Sequence, residues 1–130
     1  MADAQTKFAA GMRTRRSVLG EAYVDAAVSA TDAFTADFQT LITESAWGSV
    51  WSRETISKRE RSMLTIALLA ALGHHDEVAM HVRATRNTGA SAEDIKEALL
   101  HVAIYAGVPA ANHAFKIARA ALAEIHDESA

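Results

Sequence analysis

The sequence predicts an all-α protein, and three observations support that prediction. Alanine is abundant along the whole chain, and it has the highest intrinsic helix propensity of all residues. Only one proline occurs in 130 residues, so few positions interrupt a helix. No stretch alternates apolar and polar residues as a half-buried strand does. We therefore expect five to six helices in a single domain over residues 1–130, with residues 1–30 as an N-terminal arm and residues 31–130 as the helical core.

The N-terminal arm is the least regular part of the pattern. Residues 8–28 are loosely periodic and contain a basic cluster made of Arg13, Arg15 and Arg16. The early Asp3 and the lack of an apolar face argue against a targeting peptide. We interpret this segment as a solvated or subunit-contacting arm.

The next segment predicts the first core helix and a connection. Thr31 or Asp32 can cap this helix, because an apolar face then recurs at helical spacing in Phe34, Phe38, Leu41 and Ile42. The helix is expected to fray near Gly48. Residues 47–57, which include both tryptophans, resemble a connection more than a strand.

Residues 58–72 give the strongest helical signal. This stretch is apolar nearly all round after Arg61, so we expect it to be the central, buried helix. Gly73 suits its left-handed C-cap. A further helix over residues 75–88 is stopped by Gly89.

Two more helices follow. Ser91 and Asp94 have the spacing of a capping box at the start of the first of them, and Gly107 ends it before Pro109. The last helix places one apolar face against the core: Ala111, Phe115, Ala118, Leu122 and Ile125.

Composition and charge exclude several classes of function. The formal net charge is −3, whereas a nucleic-acid binder needs a basic face. The absence of cysteine excludes disulfides, thiol nucleophiles and cysteine-based zinc sites. The longest apolar run, around residues 63–72, is shorter than the roughly 18 residues of a membrane helix. Without an apolar segment behind the first residues, we expect no signal peptide and a cytoplasmic location.

The densest cluster of reactive side chains lies at residues 74–81. Glu77 and His81 are four residues apart and share one face of a helix, with His74 three residues before Glu77. A carboxylate beside an imidazole suits general acid–base catalysis, because it orients the ring and raises its pKa. On spacing alone, however, a surface ion pair with incidental histidines accounts for the pattern better. The same three residues also resemble part of a metal site, although a fourth ligand is missing.

Arginines near this cluster suit a substrate with carboxylates. Arg59 and Arg61 precede the apolar helix and Arg83 follows His81, and a guanidinium binds a carboxylate through two hydrogen bonds. Each of them can equally be a surface charge paired with Glu60 or Glu77. No glycine-rich phosphate loop or Gly-x-Ser-x-Gly turn occurs, so nucleotide and serine-hydrolase functions lack support.

Several separate motifs resemble the carboxymuconolactone decarboxylase family. They are residues 59–73 (RERSMLTIALLAALG), Glu77-x-x-x-His81 and residues 103–112 (AIYAGVPAAN). In the N-terminal half, Gly11-x-x-x-Arg15-Arg16 and Ala46-Trp47-Gly48-x-x-Trp51 are similar to the members that act on 4-carboxymuconolactone. The resemblance extends over nearly the whole chain.

The resemblance implies an alkylhydroperoxidase D-like helical subunit that forms a homo-oligomer, commonly a hexamer. The peroxidases of this superfamily carry Cys-x-x-Cys-x-x-x-His, and His74 and Glu77 stand here at the two cysteine positions, which excludes that activity. Those relatives also carry a glutamate where this chain has Ser62, so Glu60 is not assigned to the site. We expect no nucleic-acid or membrane partner.

The implied reaction converts 4-carboxymuconolactone to 3-oxoadipate enol-lactone and carbon dioxide, in the protocatechuate branch of the β-ketoadipate pathway. It needs neither cofactor nor metal, because the lactone itself can accept the electron pair. Our hypothesis makes His81 the proton donor, with Glu77 raising its pKa. The other expected roles are carboxylate binding by Arg61 and Arg83, a hydrogen bond to the lactone carbonyl from Ser62, Tyr105 or His74, and a lid or wall from Trp47 and Trp51. The alternatives are a decarboxylase or isomerase that acts on another unsaturated lactone, and a non-enzymatic helical oligomer.

Overall fold

The computed structural model describes the backbone of residues 2–129 and the side chains of residues 7–127. In this part of the chain there are seven α-helices, one π-helix and no strand, so the all-α class is confirmed and the predicted five to six helices are too few. None of the described helices is both long and apolar enough to cross a membrane. The elements are α1 (Ala2–Leu19), α2 (Glu21–Ala30), α3 (Ala36–Ile42), the π-helix (Thr43–Trp51), α4 (Lys58–Leu72), α5 (His75–Thr88), α6 (Ala92–Tyr105) and α7 (Val108–Ser129).

The helices divide into two compact units, Met1–Ile56 and Ser57–Ala130. The arm and core predicted on either side of residue 30 would instead separate α2 from α3. The organisation of residues 1–130 as a single domain stays a prediction.

The first unit contains the helices that the sequence pattern did not resolve. Gly20, with φ at 97°, breaks residues 8–28 into α1 and α2. The predicted first core helix begins only at Ala36, because Asp32 accepts hydrogen bonds from the backbone N–H groups of Phe34 and Thr35 and so forms a turn. Its expected apolar face is largely exposed, with Phe34 at 94%.

The predicted connection after α3 is also wrong over its first part. Residues 43–51 form a π-helix in which Trp47 and Trp51 are both buried, and their ring centroids are 5.2 Å apart. This segment packs against α1 through two glycines. A Cβ at Gly11 would overlap the carbonyl oxygen of Thr43, and one at Gly48 would lie 2.8 Å from the carbonyl oxygen of Lys7.

The second unit follows the predicted order of helices closely. Ser57 and Glu60 form a capping box at the start of α4, and Gly73 ends α4 in the left-handed conformation with φ at 77°. The capping box of Ser91 and Asp94 begins α6 as predicted. The core lies between the four helices and contains large side chains from three of them and alanines from α7: Ile66, Val78, Val82, Ile95, Leu99, Ala111, Ala114, Ala118 and Ala121.

One expectation for this unit is wrong. The helix α4 is not buried all round, because only the face of Ser62, Ile66 and Ala70 meets the core. A second row on the same helix, Leu64, Leu68 and Leu72, is 56–69% exposed. An apolar helix in a unit this small has one face for the core and leaves the other uncovered.

Candidate active site

His81 is the only histidine in the part of the chain with described side chains that is buried. It lies on the inner face of α5 among Val78, Val82 and Thr85, and 6% of its surface is exposed. Burial lowers the pKa of His81 from 6.5 to about 4, because a desolvated imidazole resists protonation. The imidazole is therefore neutral at pH 7, where it can both donate and accept a hydrogen bond.

The pKa of His81 is shifted in the direction opposite to the one expected from the neighbouring Glu77. Glu77 lies one turn earlier on α5. Its side chain is exposed to solvent, whereas the ring of His81 is buried. Desolvation determines the pKa of His81, which lies below its ordinary value instead of above it. His74 is the N-cap residue of α5, where its side chain makes no capping hydrogen bond and is exposed.

Ser62 joins the beginning of α4 to the end of α5. Its side chain is fully buried, and its Oγ lies 2.7 Å from the Oγ1 of Thr88. Thr88 was not among the predicted site residues, because a separation of 26 positions along the chain leaves no local pattern. Thr88 lies on α5 about two turns beyond His81, so it is on the same side of that helix as His81. The bond therefore places the hydroxyl of Ser62, from α4, on that side as well.

The three nearby arginines have different environments. Arg59 makes two hydrogen bonds of 2.7 Å to the carboxylate of Asp94, and these bonds help hold the pKa of Asp94 well below its usual range. Arg83 pairs with Glu124 at 2.7 Å, and both side chains are about half exposed. Arg61 is half-buried in the first turn of α4, next to the buried Ser62.

The aromatic candidates belong to two different units. Tyr105 is 85% exposed at the end of α6, and its ring is parallel to that of His101 at a centroid distance of 6.3 Å. Trp47 and Trp51 belong to the unit Met1–Ile56, whereas the remaining predicted site residues belong to Ser57–Ala130.

The sequence did not predict one contact between two histidines. The rings of His75 and His113 stack at a centroid distance of 4.0 Å and so connect the starts of α5 and α7. The metal interpretation of His74, Glu77 and His81 gains no geometric support. Among residues with described side chains, no three His, Asp or Glu are arranged to hold a metal ion.

The burial of His81 predicts a loss of stability in mild acid. The unfolded chain binds a proton at this residue near pH 6.5, whereas the folded chain resists it until about pH 4. The contribution of the neutral, buried His81 to the free energy of unfolding is therefore fully present above pH 6.5. It decreases as the pH falls to 4, by up to about 3 kcal/mol. Urea unfolding near pH 7 and pH 5 should show a larger loss for the wild type than for His81→Asn. Equal losses in the two proteins would contradict this account, and the exposed His126→Asn serves as the control.

Comparison with known proteins agrees with the resemblance seen in the sequence. The model of the carboxymuconolactone decarboxylase family matches residues 36–120, which include α3 to most of α7. The 4-carboxymuconolactone decarboxylase of Acinetobacter baylyi is 42% identical over 114 residues, covering 88% of this chain and 85% of that protein. Nitrosuccinic acid decarboxylase npaB of Metarhizium robertsii is 36% identical over 121 residues, covering 93% and 85%. This chain therefore belongs to the carboxymuconolactone decarboxylase family.

Proposed function

We propose that the protein is a carboxy-lyase that converts 4-carboxymuconolactone to 3-oxoadipate enol-lactone and carbon dioxide. The observation that supports this most is the 42% identity, over 88% of the chain, to a 4-carboxymuconolactone decarboxylase. The reaction would place the enzyme in the protocatechuate branch of the β-ketoadipate pathway, with a cytoplasmic location. No cofactor is needed for the chemistry, because the substrate supplies its own electron sink.

The electron pair left by carbon dioxide can move into the lactone. The departing carboxylate is γ to the lactone carbonyl, across a carbon–carbon double bond. Loss of carbon dioxide therefore gives a dienolate whose negative charge lies largely on the carbonyl oxygen. The protein must bind two carboxylates, stabilise this oxyanion and deliver a proton to the carbon α to the carbonyl.

His81 is the proposed proton donor, and its burial defines how it would act. A neutral imidazole is a weak acid, so His81 must first take up a proton. A bound dianionic substrate favours that uptake, because nearby negative charge raises the pKa of an imidazole. Withdrawal of the ring from water strengthens this interaction, and Glu77 contributes through its charge one turn away.

The remaining assignments follow from position and charge. Arg61, half-buried beside Ser62, binds the carboxylate that stays on the product. Arg83 binds the other carboxylate by exchanging it for Glu124, which costs little because exposed ion pairs are weak. Ser62, Tyr105 or His74 donates a hydrogen bond to the lactone carbonyl.

A decarboxylation assay tests the proposal directly. Purified protein treated with EDTA is added to fresh 4-carboxymuconolactone, and ultraviolet absorbance and carbon dioxide release are followed. We expect turnover that zinc or manganese does not increase. Turnover only after metal addition would overturn the metal-free mechanism, and none under either condition would overturn the assigned activity.

A second substrate has specific support from the fungal relative. The name of that 36% identical protein gives nitrosuccinic acid as its substrate, which is also a dicarboxylate. Loss of carbon dioxide from it leaves a carbanion whose charge is delocalised onto the oxygens of the nitro group. The same His81 and arginines would serve it. Parallel assays with nitrosuccinate and with other unsaturated lactones decide between these substrates by comparison of kcat/KM. Inactivity toward all of them would favour a non-enzymatic helical oligomer.

We also propose that the protein assembles as a homo-oligomer, with a hexamer as the expected form. The exposed leucine row of α4 lies on one side of that helix, and α6, which packs against α4, exposes Leu100 and Ile104. Clustered exposed apolar side chains are typical of protein interfaces.

Substitution within the leucine row tests this assembly. Leu68→Lys is expected to shift the protein to a smaller species, because a charge buried between subunits is unfavourable. Size-exclusion chromatography with light scattering measures the mass. Ala120→Lys, which adds the same charge at an exposed position of α7, should leave the mass unchanged. An unchanged mass for Leu68→Lys would exclude this row as the interface.

A further inference from the structure

A cavity in the unit Met1–Ile56 has the composition of a binding site for a small anion. It has a volume of about 490 Å³ and is bounded by one face of α1, the end of α2 and the side of α3. Phe8, Met12 and Val28 give it apolar walls that suit a ring-sized molecule. Its polar side includes Arg15 and Thr43.

Arg15 is almost completely withdrawn from solvent in this cavity, with 5% of its surface exposed. Its Nη1 donates a hydrogen bond of 3.3 Å to the Oγ1 of Thr43, which in turn donates one of 2.7 Å to the carbonyl oxygen of Gln39. The Nε of Arg15 is buried and has no hydrogen-bond partner among the described residues. Nη1 is held by Thr43, whereas the edge formed by Nε and Nη2 makes no hydrogen bond to a described residue, and such an edge can bind a carboxylate through two hydrogen bonds.

The acidic side chains described near Arg15 pair with its neighbour and not with Arg15 itself. The adjacent Arg16 takes both acidic side chains at the start of α2, Glu21 at 2.8 Å and Asp25 at 2.7 Å. Arg15 makes no ion pair with a described residue, and its pKa is lowered because burial removes it from water. Buried charges in proteins are normally paired, so an anion is the class of ligand that this guanidinium favours.

We infer that this cavity binds a small carboxylate with an apolar body, held by the guanidinium of Arg15. Thr43 is a positioning residue, since its hydroxyl fixes Nη1 while its own proton is given to Gln39. The cavity walls belong wholly to Met1–Ile56, and no role proposed above for the decarboxylation includes Arg15. The inference therefore stands or falls separately from the proposed reaction.

Benzoate is a suitable probe, and benzamide is its uncharged counterpart. Both tryptophans lie in the π-helix that begins at Thr43, so their fluorescence reports on this region, and calorimetry gives the affinity. We expect saturable binding of benzoate to the full-length protein and binding of benzamide at least about tenfold weaker, because hydrogen bonds to a charged group are stronger. No saturable benzoate binding, or equal binding of the two compounds, would overturn the site.

Variants assign the binding to Arg15. Arg15→Gln is expected to weaken benzoate about tenfold or more, and Thr43→Val less. Arg13→Gln removes the same charge from an exposed position on the same helix and should leave the affinity unchanged. Equal effects of the two arginine variants would refute a specific site. If Arg15→Gln does not fold, the comparison of benzoate with benzamide on the wild type decides the matter alone.

Steady-state kinetics then separate two sources of the carboxylate. Benzoate that raises the KM for 4-carboxymuconolactone with kcat unchanged in the wild type, but not in Arg15→Gln, would identify the cavity as a place for a substrate carboxylate. Kinetic constants that stay the same at saturating benzoate would identify a different carboxylate. An equal rise of KM in the wild type and in Arg15→Gln would assign benzoate to the arginines of the proposed reaction and would overturn the inference.

Discussion

Replacing His81 with asparagine is expected to reduce kcat for 4-carboxymuconolactone by about 10²- to 10⁴-fold, the usual contribution of a positioned general acid. Asparagine retains a polar side chain of similar reach but cannot deliver a proton to carbon. KM should change much less, because the proposed carboxylate contacts belong to arginines. Carbon dioxide release under saturating substrate measures the effect.

The controls for this variant exploit the other histidines. His126→Asn makes the same change at an exposed position of α7 and should retain full activity. Near-ultraviolet circular dichroism establishes that His81→Asn keeps its tertiary packing. A folded His81→Asn protein with kcat close to that of the wild type would remove His81 from the role of proton donor.

Replacing Gly11 with alanine is expected to destabilise the first unit by more than about 3 kcal/mol, at or above the upper end of overpacking costs. The new Cβ would overlap the carbonyl oxygen of Thr43, a backbone atom that cannot rotate away. Helix propensity alone predicts the opposite sign, since alanine stabilises a helix interior by roughly 0.5–1 kcal/mol relative to glycine. Urea unfolding followed by tryptophan fluorescence measures the change.

Gly73→Ala provides a matched comparison. A Cβ at Gly73 would meet no atom within 4 Å, but φ at 77° disfavours any side chain. Its expected cost is about 1–2 kcal/mol, from the backbone conformation alone. Far-ultraviolet circular dichroism measures it, because both tryptophans belong to the other unit. If Gly11→Ala costs no more than Gly73→Ala, the helix α1 does not depend on close contact with the π-helix.

The sequence predicted the second unit well and the first unit poorly, because only the second unit has its helix ends marked by local sequence signals. In residues 57–130 the helix ends have their own chemical signals, such as the Ser91–Asp94 box and Gly73, and the structure confirms them. In the first unit the packing depends on Gly11 meeting Thr43, which are 32 positions apart along the chain. No periodicity in the sequence reveals such a contact, and a π-helix shifts the apolar spacing away from the pattern of an α-helix.

The candidate site shows the same limit. The spacing of Glu77 and His81 indicated a shared helix, which is correct, but it could not show that one side chain is exposed and the other buried. That difference reverses the expected shift of the His81 pKa. The partners Thr88 of Ser62, Asp94 of Arg59 and Glu124 of Arg83 are distant in sequence, so only the folded chain identifies them.

The tryptophan pair of the π-helix has a spectroscopic consequence. Two indoles with centroids 5.2 Å apart and ring planes inclined by 36° have coupled electronic transitions, which split into a circular dichroism couplet of opposite signs. This couplet depends on the fixed geometry of Trp47 and Trp51, and both belong to Met1–Ile56. The helical signal comes from both units, so comparing the two signals during thermal unfolding reveals whether the units melt together or in succession.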